Sequence, residues 1–146
     1  MYYYHLRVVN RGRNPAVSVM VYLQRIAKKI PSGNFIPLPL VFRIPMTWSP
    51  YDQRNVERTV VDEDTCDFGS LIEGGEFFRP SIHIWPNNFE GNVAKDMCIR
   101  FELVATGHNV FSRRPKVFQV SWNGKWSENQ EEMKRNLTIE KVSSLT

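Results

Sequence analysis

"VVNRGRNPAVSVMVYLQRI", Val8 to Ile26, sets two apolar runs around a cluster of Arg, Gly and Asn. In the first run, which begins at Tyr4, Tyr4, Leu6 and Val8 share one side, with His5, Arg7 and Val9 opposite. In the second, Val17, Val19, Val21 and Leu23 alternate with Ser18, Met20, Tyr22 and Gln24. Period-two alternation among β-branched and aromatic residues marks strands that bury one face. Between the runs stand Gly12 and Pro15, flanked by Asn10 and Asn14, all turn-formers. The stretch therefore predicts two strands joined as a β-hairpin or a tight connection. Arg7, Arg11 and Arg13 raise a second question, because guanidinium forks and glycine N–H groups also cradle phosphates. A nucleotide-binding loop would end in Gly-Lys-Ser/Thr and enter a helix, whereas a β-run follows here. Nucleotide chemistry is excluded. A turn is the favoured reading, and contact with a phosphate or an acidic partner is the alternative.

The same alternation recurs along the chain. "FIPLPLVFRIP" places Ile36, Leu38, Leu40, Phe42 and Ile44 against Pro37, Pro39 and Arg43. Proline cannot donate to a sheet ladder, so this strand belongs at an edge. "MTWSPYDQRN", 46–55, reads as a long connection. Short strands are expected around Arg58–Val61 and Phe68–Ile72, and in "FFRPSIHIWP", "CIRFELVAT", "KVFQVSW" and "LTIEKV". "SENQEEMKRN" fits one or two helical turns capped by Ser127. Seven or eight short strands, with at most a short helix near the C-terminus, predict an all-β, antiparallel immunoglobulin-like sandwich. At 146 residues, one domain spanning 1–146 can bury its own core.

"VVNRGRNPAVSVMVYL" is similar to the first two strands of bacterial immunoglobulin-like domains of the cell-adhesion-related (CARDB) type, which read V-x-N-x-G-x-x-x-A-x-x-V-x-V-x-L. Val8, Asn10, Gly12, Ala16, Val19, Val21 and Leu23 carry the likeness. "CDFGSLIEGGEFF" resembles a later strand of that family, while the proline-rich middle and "SWNGKWSENQEEM" depart from it. The resemblance implies a non-catalytic spacer or binding module, appended to a larger and often cell-surface or membrane-anchored protein.

A net charge of +4 is unevenly spread: residues 1–50 carry +7, residues 51–90 carry −6 and residues 91–146 carry +3. The basic first third could face nucleic acid, anionic lipid or an acidic partner through Arg7, Arg11, Arg13, Lys28 and Lys29. The favoured reading is that folding brings the thirds together and largely cancels their fields. No run reaches the roughly 18 apolar residues that span a bilayer, and the N-terminus lacks a signal-peptide pattern. Strand-like residues begin almost at Met1, which leaves open an abrupt natural start or a domain cut from a longer chain. The first implies a cytoplasmic protein, the second a membrane-associated one. Cys66 and Cys98 lack the close pairing of metal sites, so two free thiols are favoured over a single disulfide.

Several local patterns resolve into ordinary structure. Asp67-Phe68-Gly69 matches a kinase magnesium motif, but the other kinase motifs are missing; Phe68 reads as a core residue before a glycine turn. Asp62, Glu63, Asp64 and Asp67 lack the spacing of a calcium loop and read as a solvated acidic turn. His5, His83 and His108 are scattered singly, and no serine has a nucleophile setting. No enzyme, metal or cofactor is expected. "SWNGKW" is the sharpest remaining candidate, because Asn123-Gly124 is a favoured hairpin turn. It would place Trp122 and Lys125 across from one another with Trp126 adjacent, able to stack on sugars or bases. The competing reading, which is favoured, makes Trp122 and Trp126 core residues. The expected function is a protein-binding or spacer module, with nucleic acid or anionic lipid, or carbohydrate at the tryptophans, as alternatives.

Overall fold

The computed structural model describes residues 1–40, 42–50, 55–110 and 114–146. In chain order its elements are β1 (Tyr2–Val9), β2 (Ala16–Lys29), β3 (Phe35–Leu38), β4 (Ile44–Pro45), β5 (Arg58–Val60), β6 (Glu63–Leu71), β7 (Arg79–Pro80), β8 (Cys98–Thr106), β9 (Lys116–Trp122), α1 (Gln130–Asn136) and β10 (Leu137–Val142). Two antiparallel sheets form an all-β sandwich. The larger runs β10-β9-β8-β2-β3, with β4 and β5 also pairing with β2, and the smaller runs β1-β6-β7. The three shortest elements, β4, β5 and β7, raise the count above the seven or eight strands expected. Parts of the 46–55 connection and of the 36–44 run lie outside the described residues. β3, with Pro37, does end the larger sheet, as a ladder lacking donors requires.

The expected hairpin between the first two strands does not form. β1 pairs with β6, from Tyr2 opposite Leu71 to Val9 opposite Glu63 with a register shift between Tyr4 and His5 that leaves Phe68 unpaired, while β2 pairs with β8 and β3. Residues 10–15 therefore cross from one sheet to the other. The reason lies in Asn10, whose polar groups are taken by the 60–62 segment and by its own loop. Its Nδ2 donates to the carbonyls of Asn14, Val60 and Val61 at 2.8, 3.1 and 3.0 Å, and its backbone N–H donates to Asp62 at 2.8 Å.

The core lies between the sheets, and Phe68 of β6 is its junction. Its ring meets Phe101 of β8 at 5.7 Å and 88°, Phe118 of β9 at 5.7 Å, and Phe78 at 5.8 Å. Edge-to-face rings at these separations add about 0.5–1.5 kcal/mol per pair beyond the area they bury. Gly69 does not open a turn, as its sequence suggested, but continues β6 with Phe78 packed over it. A Cβ there would meet the Phe78 ring and stand 2.7 Å from the Arg79 carbonyl oxygen. The sheets are also joined along one side by residues 46–48. Met46 N–H donates to Val21 of β2 at 2.7 Å, and Trp48 bridges Cys66 of β6.

A bulge at Gln24 shifts the β2–β8 register between Leu23 and Arg25. It lets two side chains reach one carboxylate. Arg25 grips both oxygens of Glu102 at 2.7 and 2.8 Å, and Gln24 donates to Oε1 at 2.6 Å. Glu102 is buried, and the Arg25 hydrogen bonds hold its carboxyl below the usual range against the opposing effect of burial.

Two consequences can be measured by urea unfolding. Phe68→Ala should cost about 3–5 kcal/mol and Gly69→Ala about 1–3 kcal/mol, the first by cavity and the second by overpacking. A carboxyl whose folded pKa is depressed stabilises the fold above its unfolded value and loses that contribution as pH falls through the folded one. The wild type should therefore lose stability more steeply than Glu102→Gln below about pH 4. Parallel curves for the two proteins would exclude this contribution from Glu102.

Candidate functional site

Alternation along β1 turns Tyr3, His5, Arg7 and Val9 outward while Tyr4, Leu6 and Val8 pack on the core. Opposite them, β6 extends the strand expected around Phe68–Ile72 back to Glu63, so that Glu63, Asp64 and Asp67 of the acidic cluster lie on a strand and not in a turn, and the basic start of the chain meets them across a ladder. His5 Nε2 lies 3.2 Å from Asp67, and Arg7 lies 3.4 Å from Glu63. Arg58 of β5 lies 3.0 Å from Asp64. Thr47, itself buried, donates to the second Asp67 oxygen at 3.2 Å and braces the His5–Asp67 pair from within.

One row further, Tyr3 opposes Ser70, which in turn opposes Arg79 of β7. Tyr3 is 66% exposed, and Trp85, in the loop after β7, is 44% exposed with its ring set edge-on to Phe89 at 5.2 Å. Tyr3, His5, Asp67, Arg79 and Trp85 line one depression of about 290 Å³ on the outer face of the smaller sheet. Period-two spacing in "FFRPSIHIWP" predicts Ile82 and Ile84 on one face with His83 and Trp85 opposite; the structure breaks this alternation after Ile82, which is buried, and leaves Ile84 and Trp85 both exposed. Tyr3 and Arg79 come together only through the β1-β6-β7 pairing.

The residues singled out from sequence do not converge. Arg7 is paired on β1. Arg11 and Arg13 are exposed on the inter-sheet crossing, where Gly12 N–H donates to Asn10 Oδ1 at 2.9 Å. The amide that would hold an anion is thus consumed by the turn, which answers the question posed by that stretch. Arg11 also lines a cavity of about 660 Å³, walled by Val8, Ala16, Val19, Val60 and Val110 at the start of β2. Lys28 and Lys29 sit at the far end of that strand.

Asn123-Gly124 is not a hairpin turn, because the chain between β9 and β10 passes through α1. Trp122 is 5% exposed, and its Nε1–H donates to the Lys125 carbonyl at 3.1 Å. Trp126 is half-buried against Tyr2, ring centroids 5.6 Å apart, while Lys125 is exposed. Both tryptophans are packing residues, the favoured reading of this motif. Asn129 caps α1 in place of Ser127, accepting from Glu132 N–H at 3.0 Å; Ser127 Oγ in turn accepts from Asn129 N–H and donates to Glu132.

Both cysteines are buried free thiols. Burial, reinforced by the neighbouring Asp67 charge, pushes the Cys66 thiol up to about 12. Among the described residues no group of three His, Cys, Asp or Glu is placed to hold a metal ion, and no helix is long and apolar enough to cross a membrane. Comparison with known proteins gives no match to a family model, a curated protein or a solved structure.

Cys66 should resist a thiol-reactive disulfide reagent at pH 8 in the native protein and react promptly in urea, since the thiolate is the nucleophile. Modification of native Cys66 at the unfolded rate would contradict its burial.

Proposed function

We propose that the protein is a non-catalytic binding module of immunoglobulin-like type, appended within a larger assembly and contacting a protein partner. The contact surface is the outer face of the smaller sheet. The observation that carries this reading is the exposed Tyr3, Trp85 and Arg79 around one depression, rimmed by the His5–Asp67 pair. Tyr, Trp and Arg are the residue types that dominate binding energy at protein interfaces, where a rigid ring fills a pocket and polar groups surround it. The backing is rigid as well: the strands beneath are locked by Phe68 and Thr47, so little order need be imposed on binding. Ile84, 58% exposed, extends the apolar surface beside Trp85.

A photo-crosslinking residue placed at Tyr3 or Trp85 in the source cells tests the reading. Both positions should yield the same discrete protein adduct, while a control at Lys141 on β10 should yield none. Arg79→Glu should reduce the adduct at least about tenfold, the effect of losing roughly 1.4 kcal/mol of binding. Adducts indistinguishable between the face and the control would overturn the proposal.

A further inference from the structure

At the end of β2 opposite the crossing, Lys28 and Lys29 line a depression of about 700 Å³ together with Arg135, Asn136 and the hydroxyl residues Ser121 and Thr138. It holds three cationic side chains against one acidic residue, Asp96, a surplus of two positive charges. Among the described residues no acidic side chain pairs with Lys28, Lys29 or Arg135.

Within this basic wall lies a buried hydrogen-bond donor without an acceptor. Asn136 ends α1 and is 7% exposed. Its orientation follows from a short chain of bonds. Lys125 N–H donates to Asn123 Oδ1 at 2.9 Å, which leaves Asn123 Nδ2 facing Asn136. Nδ2 must donate, so Asn136 presents Oδ1 to it, at 2.9 Å. The Asn136 Nδ2 is thereby left buried and unpartnered. Buried polar groups almost always find a partner, and an orphan at a cavity wall calls for one from outside the protein.

We propose that this depression is an oxyanion site that takes a phosphate group. Asn136 Nδ2 donates to a phosphate oxygen, and Lys28, Lys29 and Arg135 supply the charge. A phosphate monoester carries about −1.5 to −2 at neutral pH and offers strong acceptor oxygens, which matches both the surplus charge and the orphan donor. The phosphate can belong to a small solute or to a lipid headgroup. The site lies away from the Tyr3–Trp85 face and does not depend on it.

The test is an NMR titration of the whole chain with inorganic phosphate at low salt, following the side-chain NH₂ resonances of Asn136, alongside co-sedimentation with phosphatidic acid/phosphatidylcholine vesicles. A saturable shift at Asn136 is expected, weakening at least tenfold in Lys29→Glu and in Arg135→Glu. Both positions are exposed, so the variants should fold. Arg11→Glu/Arg13→Glu, at the far end of β2, should leave the shift unchanged. Response to phosphate in solution assigns a solute; vesicle binding that the Lys29 and Arg135 variants abolish, without a response to free phosphate, assigns a headgroup. No saturable shift together with no vesicle binding overturns the site. So does binding that the Arg11/Arg13 variant abolishes and the Lys29 and Arg135 variants do not.

Discussion

The Phe68 ring stands where the two sheets of this protein touch, edge against Phe101 and tilted against Phe118 of the larger sheet, with Phe78 closing the near side. Much else follows from keeping it there. Because β-strand side chains alternate, an inward Phe68 turns Asp67 outward, and one residue of slip would bury the carboxylate. Phe78 can cover the strand only because residue 69 is glycine. A register shift between Tyr4 and His5, at Phe68–Gly69 of β6, returns Ser70 to the outer face, so that Tyr3, Ser70 and Arg79 share one row across the smaller sheet and His5 meets Asp67 in another.

Charge is organised by the same pairing. A basic first third and an acidic middle would repel or attract at long range if each stayed apart. Ladder contacts instead place Arg7 against Glu63 and His5 against Asp67. The Arg7–Glu63 pair is exposed and contributes little to stability, whereas Asp67 is half-buried and held by Thr47 as well. Among the described residues, Arg11 and Arg13 on the 10–15 crossing and Lys28, Lys29 and Arg135 at the depression have no acidic partner. Glu102 is different, since its buried carboxylate depends on the guanidinium that a β2 bulge brings to it.

Both proposed surfaces collect residues distant in sequence. The aromatic face joins residues 3, 79 and 85 over a braced sheet. The basic depression joins the end of β2 to the end of α1, with the Asn123–Asn136 amide pair as its floor bond. As proposed, the first suits a partner with apolar projections and the second a compact anion, and the two share no lining residue.

Local patterning located β8, β9 and β10 at their observed bounds through alternation, marked β3 as an edge through Pro37, and favoured packing roles for Phe68, Trp122 and Trp126. It also identified residues 10–15 as a turn. These properties depend on neighbours along the chain: which face a residue takes, whether proline can donate, whether glycine and asparagine bend the backbone. What alternation could not say is which strand lies beside which. A turn between two strands is compatible with a hairpin in one sheet or a crossing between two, and the decision came from Asn10 finding its acceptors at Asn14, Val60 and Val61. Glu63, Asp64 and Asp67 joined the strand expected around Phe68–Ile72 because β1 supplied their ladder, Gly69 became a packing glycine because Phe78 came to lie over it, and Asn123-Gly124 lost its hairpin to α1. Partner choice is a long-range property, set by cross-strand hydrogen bonds and by burial between sheets. The two candidate sites, each assembled across such pairings, were therefore decided only by the tertiary structure.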